Sequence, residues 1–287
     1  MKMVVALLVL KLIAHVNAAP EKLSQAGLYQ DFKNKIPAAE LQPYSPRFPL
    51  WSDGLEKSRW IRLPGAVDKT DPEAWVFPDG TELWKEFRAG GKRIETRRMR
   101  KNGEADWEFA SYVWNADESE ATLAPTEGLP NVYPLTPTVA HDIPSEGQCR
   151  YCHQRFGDPV LGFSEVQLGS HAAPFALGYL HANCASCHHP EGRAGFTEHY
   201  LQLPAVDVAL EQTPAFLSSV NVPTVNFPIP GVPRTYRVLP GHPEQSALIY
   251  RLTLAGPQHM PSLGTKIPDV VAIEKLREWV LGLSPAR

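Results

Sequence analysis

All four cysteines of this 287-residue chain fall between positions 149 and 187, in two copies of one pattern. Cys149-Arg150-Tyr151-Cys152-His153 and Cys184-Ala185-Ser186-Cys187-His188 are both C-x-x-C-H. The spacing places two sulfurs on one short turn with an imidazole directly after them. That pattern is the haem c attachment pattern. Two thiols add across the two vinyl groups of a haem, and the histidine that follows falls beneath the iron as an axial ligand. Cys149, Cys152, Cys184 and Cys187 are therefore the expected covalent anchors of two haem c groups, with His153 and His188 as iron ligands.

Other chemistry fits four cysteines. A zinc site with four thiolates also uses paired C-x-x-C. Here, however, residues 153–183 separate the pairs, 31 residues against the usual ribbon spacing of about 15–20, and zinc leaves both adjacent histidines without a role. A thioredoxin-type redox pair needs a βαβ context, and none is visible. Two small structural disulfides are the plainest alternative.

The N-terminus reads as a secretory signal. Lys2 gives a short positive region, Met3 to Val16 is apolar apart from Lys11 and His15, and Val16-Asn17-Ala18 has the form of a cleavage site. Cleavage is expected after Ala18, since Pro20 disfavours a cut after Ala19. The apolar run is shorter than the roughly 20 residues that span a bilayer, and no later stretch reaches that length. No cysteine near the site suggests a lipid anchor. The expectation is an exported, periplasmic protein without a transmembrane segment once residues 1–18 are removed.

The rest of the chain divides by texture into an α+β, multidomain arrangement. Residues 24–135 hold six of the seven tryptophans and short alternating or aromatic-rich runs: Arg59–Leu63, Trp75–Phe77, Glu82–Phe87, Lys92–Met99 and Trp107–Trp114. Pro64-Gly65, Pro78-Asp79-Gly80, Gly90-Gly91 and Asn102-Gly103 punctuate them as turns. This predicts a mainly antiparallel β domain, sandwich or barrel, with the tryptophans in its core. Residues 124–148 are rich in proline, and 136–171 is expected to be a linker bearing the first motif. Residues 172–287 read as mainly α. Helices are expected over Pro174–His189, Pro243–Ala255 and Pro268–Leu283, the last with Val270, Ile273, Leu276, Val280 and Leu283 on one face. An irregular insertion occupies about 204–240.

Charge is unevenly placed although the formal net charge is only −3. Residues 84–101 carry Lys85, Arg88, Lys92, Arg93, Arg97, Arg98, Arg100 and Lys101 against Glu86 and Glu95. Between 102 and 230 the only lysines or arginines are Arg150, Arg155 and Arg193. The basic run is read as a solvated hairpin face or as a docking patch, either for an acidic redox partner or for the acidic half of this chain. Nucleic acid is a poor partner for an exported, net-acidic protein.

The segment Phe175-Ala-Leu-Gly-Tyr-Leu-His-Ala-Asn-Cys-Ala-Ser-Cys-His resembles the first helix of class I c-type cytochromes. That resemblance implies that Gly178 and Tyr179 meet the last helix, through Trp279. Leu239-Pro-Gly-His-Pro-Glu-Gln-Ser-Ala-Leu-Ile-Tyr-Arg and His259-Met-Pro-Ser-Leu-Gly extend it over about residues 172–283, the insertion apart. In that family a Met-Pro loop ahead of the last helix brings the sixth ligand to iron, which implies Met260. Leu50-Trp-Ser-Asp-Gly-Leu-Glu-Lys-Ser-Arg-Trp, Phe77-Pro-Asp-Gly-Thr-Glu-Leu-Trp-Lys-Glu-Phe and Ser111-Tyr-Val-Trp-Asn resemble a family of exported bacterial proteins. Its members join a β-rich N-terminal region to a C-terminal half bearing C-x-x-C-H.

The expected function is electron transfer by a periplasmic dihaem cytochrome, with another redox protein as partner. The rivals are a dihaem oxidase or peroxidase with one open haem, and a zinc-binding interaction protein. Outside the signal the only methionines are Met99, within the cationic hairpin, and Met260. For the distal side of the first haem, His141, His171, His181, His199, His242 and His259 are all candidates by type, and spacing does not choose among them.

Overall fold

The computed structural model describes residues 19–104, 106–153, 158–169, 173–224 and 226–284. Residues 1–18, expected to be a signal, and His171 lie outside these. The first half is built on an open, six-stranded antiparallel meander: β3 (Gln42–Pro43), β4 (Glu56–Arg62), β5 (Glu82–Ala89), β6 (Lys92–Lys101), β7 (Trp107–Trp114) and β8 (Ala121–Leu123), paired in that order. A small ladder of β1 (Tyr29–Asp31) and β2 (Ile36–Pro37) precedes it. Gly90 and Gly91 turn β5 into β6 with φ of +55° and +80°, backbone values that hairpin turns demand and glycine supplies at no steric cost. The expected strand over Trp75–Phe77 is not one; Val76 makes only an isolated bridge to Asp68.

The period of two along each strand gives the sheet two different faces. Trp84, Ala110, Tyr112 and Trp114 pack beneath the N-terminal segment, against Leu23, Leu28, Tyr29 and Leu41. Ile61, Leu83, Trp107, Met99 and Phe109 point the other way, onto Trp75, Phe77, Val160 and Phe163. Trp75, Trp84, Trp107 and Trp114 are buried, so the tryptophans serve the core.

Two expectations for this half need correction. Most of the basic run is not a free docking patch but is spent on ion pairs: Arg88 and Arg93 on Glu86, Arg97 on Glu95, Arg98 and Arg100 on Glu82, and Lys101 on Asp158. Nor is the proline-rich stretch a plain linker. It folds as a hairpin of β9 (Leu129–Pro134) and β10 (Ala140–Ile143). A two-stranded ribbon has only edge strands, where proline costs no ladder bond. Farther along, Val160 and Phe163 belong to the sheet's own core.

The second half holds α1 (Glu146–Cys152), α2 (Glu165–Leu168), α3 (Phe175–Cys184), α4 (Pro214–Leu217), α5 (Ala247–Thr253) and α6 (Val270–Gly282). Asp269 caps α6 through Ala272 N–H at 3.0 Å. One core joins Leu177 and Leu180 of α3, Leu248 and Ile249 of α5, and Ile273, Leu276 and Val280 of α6. Val270 lies off that face, 68% exposed. Phe48, from the segment ahead of β4, also enters this core. It lies so close to Gly178 that an added Cβ would come within 2.2 Å of its ring. Phe48 is thus the ring nearest Gly178, while Tyr179 and Trp279 share the core between α3 and α6. The region 204–240 is irregular as expected, with one-turn helices and isolated bridges. Among the described residues no helix is long and apolar enough to cross a membrane.

Candidate functional site

The two C-x-x-C-H motifs adopt the same local geometry. In each, the histidine N–H donates to the carbonyl of the first cysteine, at 3.0 Å for His153 to Cys149 and 2.9 Å for His188 to Cys184. Both thiols and the imidazole thus sit on one helical turn. The turn at 146–152 is started by a capping box in which the Ser145 hydroxyl accepts from Gln148 N–H and the Gln148 side chain accepts from Ser145 N–H. All four cysteines are free. Burial pushes every thiol above its ordinary value, Cys152 to about 11 and Cys184 to about 12, so they are protonated at neutral pH.

Each imidazole is oriented in the same way. His153 Nδ1 lies 2.7 Å from the Pro159 carbonyl, and His188 Nδ1 lies 3.0 Å from the His199 carbonyl. A carbonyl can only accept, so the proton is on Nδ1 and the lone pair is on Nε2. That is how metal-binding histidines are held, the second nitrogen fixing tautomer and ring angle. Burial lowers both imidazoles, His153 to about 4, so both are neutral and able to ligate.

The two accepting carbonyls are braced by different parts of the chain. Pro159 follows Asp158, whose buried carboxylate accepts from Lys101 Nζ at 2.8 Å, Trp107 Nε1 at 2.7 Å and Phe77 N–H at 2.6 Å. The β sheet therefore fixes the loop that aims His153. On the other side, His199 Nε2 lies 2.9 Å from the Ser219 hydroxyl. Arg237 donates to the carbonyls of Thr197, Glu198 and Ser218 at 2.5, 2.7 and 2.8 Å. The insertion thus secures the loop that aims His188. Gly192 lets this loop close tightly, since a Cβ there would meet the Cys187 carbonyl at 2.2 Å.

The fold brings the motifs together. The Arg193 guanidinium lies 3.7 Å from the ring centre of Tyr151, inside the first motif. Cys187 is among the charges that raise the Cys152 thiol. The first motif also rests on the sheet, where the Phe109 ring meets His153 at 5.4 Å. The segment ahead of β4 ties in the second motif through Trp51 N–H, which donates to Asn183 Oδ1 at 2.7 Å, next to Cys184.

Met260 is partly buried, and its N–H donates to the Arg251 carbonyl at 3.2 Å. Arg251 Nε bonds the Gln258 carbonyl, and the Arg251 charge contributes to lowering His188. The Met260 loop is thus fastened to a residue within electrostatic reach of the second motif. Four of the distal candidates by type have one ring nitrogen in a hydrogen bond or ion pair of their own. His141 Nε2 is 2.8 Å from Glu95, His181 Nδ1 accepts from Leu203 N–H, His259 Nε2 is 3.1 Å from Thr265, and His242 faces Glu244 near the surface. His199 stands edge-on to His188 at 5.4 Å.

Among the described residues no three His, Cys, Asp or Glu side chains converge on one metal position. The bracing residues Asp158, Lys101, Arg237 and Ser219 were not legible as functional in the sequence, because each acts across a long loop with no motif around it. In comparisons with protein-family models, with curated proteins and with solved structures, nothing matches this chain.

Proposed function

We propose that the protein is an exported dihaem c-type cytochrome that transfers electrons to or from another redox protein. The observation that carries this reading is the twin arrangement of His153 and His188. Two neutral imidazoles, each with Nδ1–H on a backbone carbonyl and Nε2 left for iron, directly follow paired thiols on one turn. Haem supplies reversible one-electron chemistry when bound. Cys149 and Cys152 would hold one group and Cys184 and Cys187 the other, each S–H adding across a vinyl group so that sulfur takes one carbon and hydrogen the next. A four-thiolate zinc centre would leave the two oriented imidazoles, His153 and His188, without a role.

The chain's own residues then do three things. They orient the two ligating imidazoles through the Pro159 and His199 carbonyls. They keep the motifs side by side through Tyr151 and Arg193, the juxtaposition a relay between two redox groups requires. Met260, on the loop fastened to Arg251, would supply the sixth ligand of the group held by Cys184 and Cys187. Its rival is the neighbouring His259, whose Nε2 lies on the Thr265 hydroxyl and whose Nδ1 is buried without a partner.

The test is the intact mass and visible spectrum of the mature protein made with cytochrome c maturation. Two covalent haem masses and two low-spin haems are expected. A protein that carries zinc and no covalent haem overturns the reading; one high-spin haem moves it to the oxidase or peroxidase class.

A further inference from the structure

The sheet face that meets the first motif carries cations where its neighbours are apolar. Arg59, Lys85 and Arg97 stand directly opposite one another across β4, β5 and β6. They form one cross-strand row. On one side of it lie Ile61, Leu83, Met99 and Phe109, and on the other Leu55 and Phe87. Like charges at directly paired positions repel, their Cβ atoms being about 5 Å apart. Half-burial strengthens that repulsion.

The row lacks matching carboxylates. Glu95 is the one acid in contact, and it is used by Arg97, at 2.6 and 2.9 Å, and by His141. Among the described residues Arg59 and Lys85 make no ion pair. Lys57, in the adjacent row, adds a further cation and donates to the Leu50 carbonyl. The Lys85 ammonium is held well below its ordinary value by burial first and then by Arg97, Arg59 and Lys57. The same sheet face meets the first motif, where the Phe109 ring lies 5.4 Å from His153, and Lys85 and Arg97 are among the charges that keep that imidazole neutral.

We propose that Arg59, Lys85 and Arg97 form a receptor for carboxylates presented at the first motif. Resting on the haem reading above, its natural occupant is the pair of propionate groups of the haem held by Cys149 and Cys152. Arg59 offers a planar, bidentate donor and Lys85 a point charge, while Arg97, already on Glu95, adds positive charge to the row. With propionates in place the row would have the anions its spacing demands, and its positive charge would favour the reduced, less positive state of the group. A free dicarboxylate is the other source of the same chemistry.

The experiment uses the mature protein, with two covalent haems verified by mass, as wild type, Arg59→Gln, Lys85→Gln, and the charge-retaining Arg59→Lys and Lys85→Arg. The Gln variants should lower the midpoint potential of one of the two haems and shift its propionate bending band in resonance Raman spectra. The charge-retaining variants should restore the potential. Calorimetric titration with succinate is the second arm. Heat seen with wild type and lost in the Gln variants assigns the receptor to a free dicarboxylate instead. If two haems are present, both potentials and the Raman band are unmoved, and succinate gives no heat, the receptor is overturned. If the mass shows no haem at Cys149 and Cys152, the haem reading has failed, and the succinate titration alone decides the receptor. Circular dichroism of each variant separates misfolding from loss of charge.

Discussion

Replacing Asp158 by Asn removes one charge from a pair whose side chains are each only 3% exposed. Lys101 then keeps a buried ammonium with the Phe77 carbonyl as its remaining acceptor, at 2.8 Å. Breaking a buried pair by neutralising one partner costs about 3–5 kcal/mol, since the other charge is left uncompensated in low dielectric. Asn still offers one oxygen to Trp107 Nε1 or Phe77 N–H, so the lower end, about 3 kcal/mol, is expected. For a protein of this size that corresponds to a fall in Tm of roughly 10 °C. The double variant Lys101→Met/Asp158→Asn removes both charges and should recover much of the loss, with a coupling of about 2 kcal/mol in the cycle. The assay is guanidinium unfolding followed by far-ultraviolet circular dichroism. A second readout separates structure from function. Asp158 fixes the Pro159 carbonyl that orients His153, so Asp158→Asn should also weaken axial ligation at the first motif, on the order of 10-fold or more, seen as a high-spin fraction in the spectrum. A stability change below about 0.5 kcal/mol, or an additive cycle, would refute the reasoning.

Three further outcomes follow from named contacts. Burial opposes ionisation of Glu95, but the Arg97 charge and the hydrogen bonds from His141 and Arg97 outweigh it and hold its carboxyl at about 2. A carboxyl lower in the folded state stabilises fully above its unfolded value and loses that contribution as pH falls from about 4.5 towards 2, on the order of 3 kcal/mol in all; Glu95→Gln should flatten the acid limb of a stability–pH curve, and an unchanged limb would assign the acid transition to other groups. Gly178→Ala drives a Cβ into the Phe48 ring and should cost about 1–3 kcal/mol, partly regained by Phe48→Leu, as thermal melts of both proteins will show. Met260→Ala should abolish the weak far-red sulfur-to-iron band of the ferric protein and lower the potential of the haem at Cys184 and Cys187; if the band survives, Met260 is not the ligand.

Much of the local structure was legible because it depends on residues a few positions apart. The meander strands β4 to β7 followed from alternation, and the double-glycine turn between β5 and β6 from the backbone angles it needs. The starts of α3 and α6 were marked by sequence, although α3 ends at Cys184 rather than His189 and only part of the expected apolar face of α6 is buried. The hairpin at 129–143 was missed because proline content reads as linker unless both strands are known to be edges.

What the sequence by itself determined is the pair of C-x-x-C-H turns. Their spacing puts two thiols and an imidazole on one turn wherever the segment takes up helical geometry. Only the tertiary structure decided what surrounds those turns. Phe48 fills the space above Gly178, Asp158 reaches Phe77, Lys101 and Trp107 across 81, 57 and 51 residues, and Tyr151 meets Arg193. Arg59, Lys85 and Arg97 become neighbours only when β4, β5 and β6 pair in register. The reason is physical: helical and turn geometry is set by bonds between near neighbours along the chain. A buried ion pair, a cross-strand row or an aromatic placed over a glycine is set by which distant segments share a core, and no local pattern of residues encodes that choice.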